Sequence, residues 1–199
     1  MTEASTRRRL EVDERRRQLL KLGVELFAQH AYDELSMRKI ARAAGISHAL
    51  LYRYFPSKQS YFRAALEQAA EELRARTAPD PSLPPWEQLV AGLEGFLQLV
   101  DVNALAYRQL LRSLASAPEV RALIDEVRET TAERILEGLF SDGAPAQARA
   151  AVKGWLWYMD GVLLDWIEHR DLERAEVRDL LLGTLGGALA AATAAPDAA

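Results

Sequence analysis

The chain of 199 residues has no cysteine. A disulfide framework, a thiolate metal site and a cysteine redox switch are all excluded. Histidine is scarce too. His30, His48 and His169 stand far apart, with none of the spacing that holds a metal. There is no HExxH pair, no glycine-rich phosphate loop and no nucleophile–base constellation, so a small helical enzyme has little to work with. No apolar run reaches the roughly 18–20 residues that span a bilayer. The start, through Arg7, Arg8 and Arg9, lacks the apolar stretch of a secretory signal. The expectation is a cytoplasmic protein with no membrane partner, no metal and no cofactor. Alternating strand patterns are missing, and no internal repeat is visible.

Charge is distributed unevenly. Residues 1–77 carry 15 Lys/Arg against 10 Asp/Glu, a net of +5, whereas the remainder carries 10 against 19, a net of −9. A basic head on an acidic body suits a protein whose first part meets phosphates, although ordinary surface charge gives the same count.

Helical periodicity fills the space that the absences leave. Residues 1–12 read as a flexible basic arm. From Asp13, Leu19, Leu22, Gly23, Leu26, Phe27 and His30 recur at three- and four-residue spacing, which predicts a helix ending near His30. Ser36 is an N-cap candidate, with Lys39 where a capping box places Glu or Gln. Met37, Ile40, Ala41 and Ala44 form the inner face of that second helix. Gly45 supplies a tight turn, because glycine takes positive φ without steric cost. Ser47 caps a third helix over about 48–54, Pro56 stops it, and Ser57 caps a fourth that runs to about Arg76. Four prolines between Thr77 and Pro85 then break the chain. Five more helices follow. They carry Trp86 to Val100, Leu105 to Leu114, Val120 to Leu139 (opened by Pro118), Ala146 to His169, and Arg174 to Ala194. Residues 195–199 are expected to fray. The fold class is all-α: a three-helix helix-turn-helix unit over 13–58, then about six helices over 59–199, with helix 59–76 joining the two.

A short helix, a glycine turn and a second short helix is the plan of a helix-turn-helix, whose second helix enters the major groove. Base readout falls to the start of that helix: Ser47, His48, Ala49 and Leu50. His48 can donate to a guanine or a phosphate, and Ala49 and Leu50 can meet a thymine methyl. Long polar side chains are few there, so shape readout gains weight. The candidates for phosphate contact are Ser36, Arg38, Tyr52, Arg53, Tyr54 and Lys58, with Arg42 as a further one. Lys58 opens the fourth helix, where the dipole also favours a phosphate. Tyr54 also reads as a core residue, Phe55 more so, and Tyr52 as a plain surface aromatic. The arm arginines either reach a minor groove or stay solvated. His30 reads as a helix-end residue.

The spacing Ser36-x-x-x-Ile40-Ala-x-x-Ala-Gly45-Ile-Ser47, followed by Leu51-Tyr52-x-Tyr54-Phe55-x-Ser57-Lys58, resembles the TetR family of bacterial transcriptional regulators. The resemblance covers the first 65 residues. It implies an all-α homodimer that binds an inverted-repeat operator in double-stranded DNA and is released by a ligand bound in the body. Repression is the family default. Two positions depart from the family: His48 stands where a basic residue is frequent, and Leu50 where a small hydroxyl residue is. Both alter which bases can be read.

The body carries candidates for the ligand and for the partner protomer. Phe96, Tyr107, Trp155, Trp157 and Tyr158 suit a pocket for a small hydrophobic or aromatic effector, though aromatic stripes are also plain core. Asp160 lies inside an apolar run, where a carboxylate needs a partner. It either meets a cationic or hydroxylated effector or pairs with Arg108 or Arg112. Helix 146–169 is apolar on nearly every side and must be buried on more than one. Glycines in helix 174–194 each cost roughly 1 kcal/mol against alanine, which close helix packing offsets. Val162, Trp166, Leu182, Gly183, Gly186 and Leu189 are therefore the candidate dimer interface. Two alternatives stay open: a helical adaptor that binds protein, and a small helical enzyme without DNA binding.

Overall fold

The computed structural model describes residues 2–77 and 80–194, with side chains except those of residues 2–11, 73–77, 115, 116 and 119. The described residues form nine α-helices and no strand: α1 (Thr2–Gln29), α2 (Met37–Ala43), α3 (His48–Tyr54), α4 (Lys58–Thr77), α5 (Pro85–Val102), α6 (Ala104–Ser116), α7 (Pro118–Leu139), α8 (Ala146–His169) and α9 (Arg174–Thr193). A 3-10 turn over Tyr32–Glu34 links α1 to α2. Among these residues no single helix is long and apolar enough to cross a membrane. The frayed end expected at 195–199 and the middle of the proline loop, 78–79, lie outside the described residues.

The first helix is longer than its apolar pattern. The backbone is helical from Thr2, over the stretch read as an arm. No proline or glycine precedes Gly23, and Ala, Arg, Glu and Leu are good helix formers. The expectation for Arg7, Arg8 and Arg9 falls on side chains outside the description.

The chain divides into two compact units, and they do not follow chain order. Unit 1 comprises residues 1–74 and 105–121, and unit 2 comprises 75–104 and 122–199. The sequence reading took helix 59–76 as the connector and placed α6 in the body; most of α4 and all but the start of α6 group with the head. The reason is packing. Tyr61 and Ala64 of α4 join Leu19, Leu20, Met37, Ile40, Ala41, Leu51 and Phe55 in one buried cluster. Beside it, Phe62 stands edge-on to Phe27 and Tyr32, with Phe27–Phe62 centroids at 4.6 Å and Tyr32–Phe62 at 5.2 Å.

Unit 2 is built on α8 and α9. The two helices pack together, and Val152, Trp155, Leu156, Leu163 and Trp166 of α8 and Val177, Leu181 and Leu185 of α9 are all buried. Leu93, Leu97 and Val100 give α5 its buried stripe. Pro85 opens α5 at a position where its missing N–H costs nothing. Charges bind the rim. Arg174 of α9 donates to Glu94 of α5 (2.8 Å), and Arg170 donates to Asp101 (2.6 Å). Arg170 ends α8 in the left-handed region, at φ +54°.

Candidate nucleic-acid interface and effector unit

The turn between α2 and α3 is set by three local devices. Ser36 Oγ accepts the Lys39 N–H at 3.2 Å and starts α2. Gly45 adopts φ +64°, where an L side chain is strained. Ser47 Oγ accepts the Leu50 N–H at 3.2 Å and starts α3. Lys39 cannot accept the N-cap N–H as a glutamate would. Its ammonium instead donates back to the Glu34 carbonyl at 2.7 Å. Ser57 and Ser60 exchange side-chain-to-backbone bonds of 3.0 Å at the start of α4.

With its apolar side anchored by Leu51, α3 turns the rest outward. Ser47, His48, Ala49, Tyr52 and Arg53 are exposed, and Leu50 and Tyr54 are half-buried. Ser36 and Arg38 of α2 are exposed as well, as is Arg42. The structure brings two of these side chains together: the His48 and Tyr52 rings meet edge to face, 4.7 Å apart and 88° inclined. They sit one turn apart on one helix face. Phe55 is core, with its ring 4.8 Å from that of Tyr61. Lys58 is engaged inside the head. Its Nζ donates to the Tyr32 carbonyl (3.1 Å) and lies 3.9 Å from the Tyr32 ring centroid. The sequence reading missed this contact because its partner lies 26 residues earlier.

The six residues proposed for a ligand differ in burial and partners; Tyr107 is half-buried in unit 1. Trp155 is core: its ring is buried and Nε1 donates to the Leu181 carbonyl at 2.9 Å. Phe96 is half-buried, whereas Trp157 and Tyr158 are exposed. Asp160 accepts a hydrogen bond from Nη2 of Arg128 on α7, a partner that the sequence reading did not name. The same guanidinium donates to Asp125 at 3.1 Å and lies 3.9 Å from the Trp157 ring centroid. Arg128 is 12% exposed and Asp160 16%. Neither charge is well solvated, so removing one partner is costly. Arg128→Leu is expected to lower stability by about 2 kcal/mol. Adding Asp160→Leu should recover most of that loss, read from urea unfolding.

The dimer candidates also divide. Trp166 is buried, with Nε1 bonded to the Leu172 carbonyl at 2.8 Å. Gly186 faces its own protomer, where an added Cβ would sit 3.8 Å from the Trp86 ring. Gly186 is thus turned toward α5, and Trp166 toward the link between α8 and α9. Val162, Leu182 and Leu189 are half-buried, and Gly183 is exposed with nothing within 4 Å of an added Cβ. Outside this core lies an open groove of about 360 Å³, lined by Tyr158, Gly161, Val162, Asp165, Leu172 and Leu180. Trp157, Leu164, Leu172 and Leu180 are exposed apolar side chains on α8, α9 and their link.

Asp165 at the groove also sets His169. The His169 Nδ1 lies 3.1 Å from the Asp165 carbonyl and 3.2 Å from its carboxylate. The carbonyl bond, then the carboxylate charge, raises the imidazole above the ordinary histidine value. A raised folded-state value stabilises below the unfolded value, and that contribution is lost as pH rises through the folded one. An NMR titration of His169 should have its midpoint above that of a free histidine, and Asp165→Asn should lower it.

Two family matches cover the chain in order. The family described as "Bacterial regulatory proteins, tetR family" matches residues 19–65, and "Tetracyclin repressor-like, C-terminal domain" matches residues 85–185. The chain is 28% identical over 145 residues to the transcriptional activator FasR of Mycolicibacterium smegmatis, a match covering 71% of this chain and 66% of FasR. It is 26% identical over 140 residues to the transcriptional repressor KstR of Rhodococcus jostii, covering 70% of this chain and 66% of KstR. The chain thus spans just under two thirds of these curated relatives. A crystal structure of a tetR-family transcriptional regulator from Streptomyces coelicolor superposes with a TM-score of 0.75 at 31% identity, covering 92% of this chain and 83% of that one. A capped α2–Gly45–α3 turn in the first match and a helical body spanned by the second agree with one assignment: this chain belongs to the tetR family of bacterial regulatory proteins.

Proposed function

We propose that the protein is a sequence-specific, DNA-binding transcriptional regulator that works as a homodimer. The observation that carries the reading is the outward row on α3. His48, Ala49, Tyr52 and Arg53 are exposed, on a helix whose start is fixed by Ser47 and whose inner side is fixed by Leu51. These exposed side chains are the right types for bases and phosphates. Ser36 and Arg38, with Tyr54 and Lys58, serve the backbone. A dimer places two such helices about one turn of DNA apart, so the site is an inverted repeat.

The partner protomer covers the outward faces of α8 and α9. Large exposed apolar side chains beside unobstructed glycines suit close helix packing better than water. Release by a small, largely apolar effector is the regulatory reading, with repression as the direction. Its support is Asp160. An effector with a cationic or hydroxyl group would compete with Arg128 for that carboxylate.

The test is binding to a duplex selected by the full-length protein from a random 30-base-pair pool. Selection should yield an inverted repeat, and log affinity should fall steeply with log salt. His48→Ala with Tyr52→Ala is expected to weaken binding by about 100-fold and leave the dimer folded, at roughly 1–3 kcal/mol per lost contact. Enrichment of no palindrome from the pool would reject the reading.

A further inference from the structure

We propose that Ser113, on α6, is a positioning residue of the DNA interface, acting on Lys58 through Tyr32. The inference rests on the reading of Lys58 as a phosphate contact. Tyr32 opens the 3-10 turn, so its N–H has no partner within that turn. Ser113 Oγ accepts this N–H at 3.2 Å, from 81 residues away in sequence. The hydroxyl proton of Ser113 goes to the Gln109 carbonyl at 2.9 Å, which turns an oxygen lone pair toward Tyr32. Ser113 is a buried polar side chain, 3% exposed, in an otherwise apolar core.

Tyr32 in turn serves Lys58. Its carbonyl accepts the Lys58 ammonium at 3.1 Å, and its ring lies beneath that ammonium. The ring itself is held edge-on by Phe62. The same carbonyl accepts the Leu35 N–H at 3.3 Å, so the 3-10 turn that Ser113 anchors at its first N–H also sets the direction of the Tyr32 carbonyl. The ammonium has three donors and spends one on this carbonyl. The side chain is half-buried at the first residue of α4, where the helix dipole adds to a phosphate site. A lysine already held in one rotamer loses less freedom on meeting a phosphate than one that is loose. Ser113 thereby contributes to DNA affinity without reaching DNA.

The experiment is a double-mutant cycle on the full-length dimer, using a duplex selected by the wild-type protein from a random 30-base-pair pool. Lys58→Met should weaken binding about 10-fold and reduce the slope of log affinity against log salt by about one. Ser113→Ala should weaken binding about fourfold and lower the slope part of the way. In the Lys58→Met background, Ser113→Ala should change affinity by less than about 1.5-fold, because its only route to DNA is gone. Ser113→Thr, which keeps the hydroxyl, should restore affinity and slope. Equal losses in the two backgrounds, or an unchanged slope in Ser113→Ala, would overturn the proposal and leave Ser113 as a packing residue. No effect of Lys58→Met at all would instead remove the phosphate reading, and the proposal with it. If Ser113→Ala loses helical signal at the assay temperature, Ser113→Cys is used with the same expectations, since a thiol is a weak acceptor of similar size.

Discussion

Gly183→Arg is expected to give a folded monomer whose affinity for an inverted-repeat duplex is at least about 100-fold weaker. The protomer should accept the change. Gly183 is exposed on α9, and an added Cβ meets no atom within 4 Å. Helix propensity even favours arginine over glycine, by roughly 1 kcal/mol. The proposed interface should not accept it. Gly161 on α8 and Gly187 on α9 share this openness and exposure, so the outer face combines missing side chains with Leu164 and Leu180. A long charged side chain in such a strip keeps two helices apart and buries an unpaired charge. Loss of the dimer removes the tethering that makes the second half-site an intramolecular event, worth 10²–10⁴ in typical bivalent systems. Sedimentation equilibrium, circular dichroism and a DNA titration together check the three parts. A mutant that remains dimeric with full DNA affinity would move the interface away from this face.

The head is expected to be most sensitive at Gly23. Gly23→Ala should destabilise it by about 2 kcal/mol, although alanine is the better helix former by about 1 kcal/mol. An added Cβ would sit 2.9 Å from both Cζ and Oη of Tyr61, and 3.1 Å from the Ala65 Cβ. Tyr61 has no room to yield. It is fully buried, its hydroxyl donates to the Leu19 carbonyl at 2.6 Å, and its ring meets Phe55 and Phe27. Overpacking costs roughly 1–3 kcal/mol, and a broken Tyr61–Leu19 bond adds about 1 kcal/mol. Together they outweigh the propensity gain. Urea unfolding measures the loss. In a Tyr61→Leu background, which empties the contact, Gly23→Ala should become neutral or stabilising, because the clash is then gone. Gly45 is the opposite case. An added Cβ there meets nothing, and only its φ of +64° resists substitution.

Much of this architecture is legible residue by residue. The caps at Ser36, Ser47 and Ser57, the turn at Gly45 and the stop at Pro56 act within three or four positions. The helices from Pro85 onward end close to where the apolar spacing ends. What the spacing could not give was phase and partnership. In α8 nearly every face is apolar, so its pattern does not choose between Trp155 and Trp166 inside and Trp157 and Tyr158 outside. Packing against α9 and the link before it makes that choice, with Trp155 Nε1 bonded to the Leu181 carbonyl and Trp166 Nε1 to the Leu172 carbonyl. Ser113 carried a weak signal, a small hydroxyl among the leucines of α6, which marks a buried polar site without naming its partner.

Sequence by itself determined the helical class, the helix-turn-helix and its caps, because those depend on contacts between near neighbours along the chain. Only tertiary structure decided that Asp160 meets Arg128, that Lys58 meets Tyr32 and that most of α6 packs with the head. Each of those pairings joins groups 26 or more residues apart, and several cations could have satisfied the same carboxylate or carbonyl. The choice among them was made by which helix faces the apolar core had already turned toward each other.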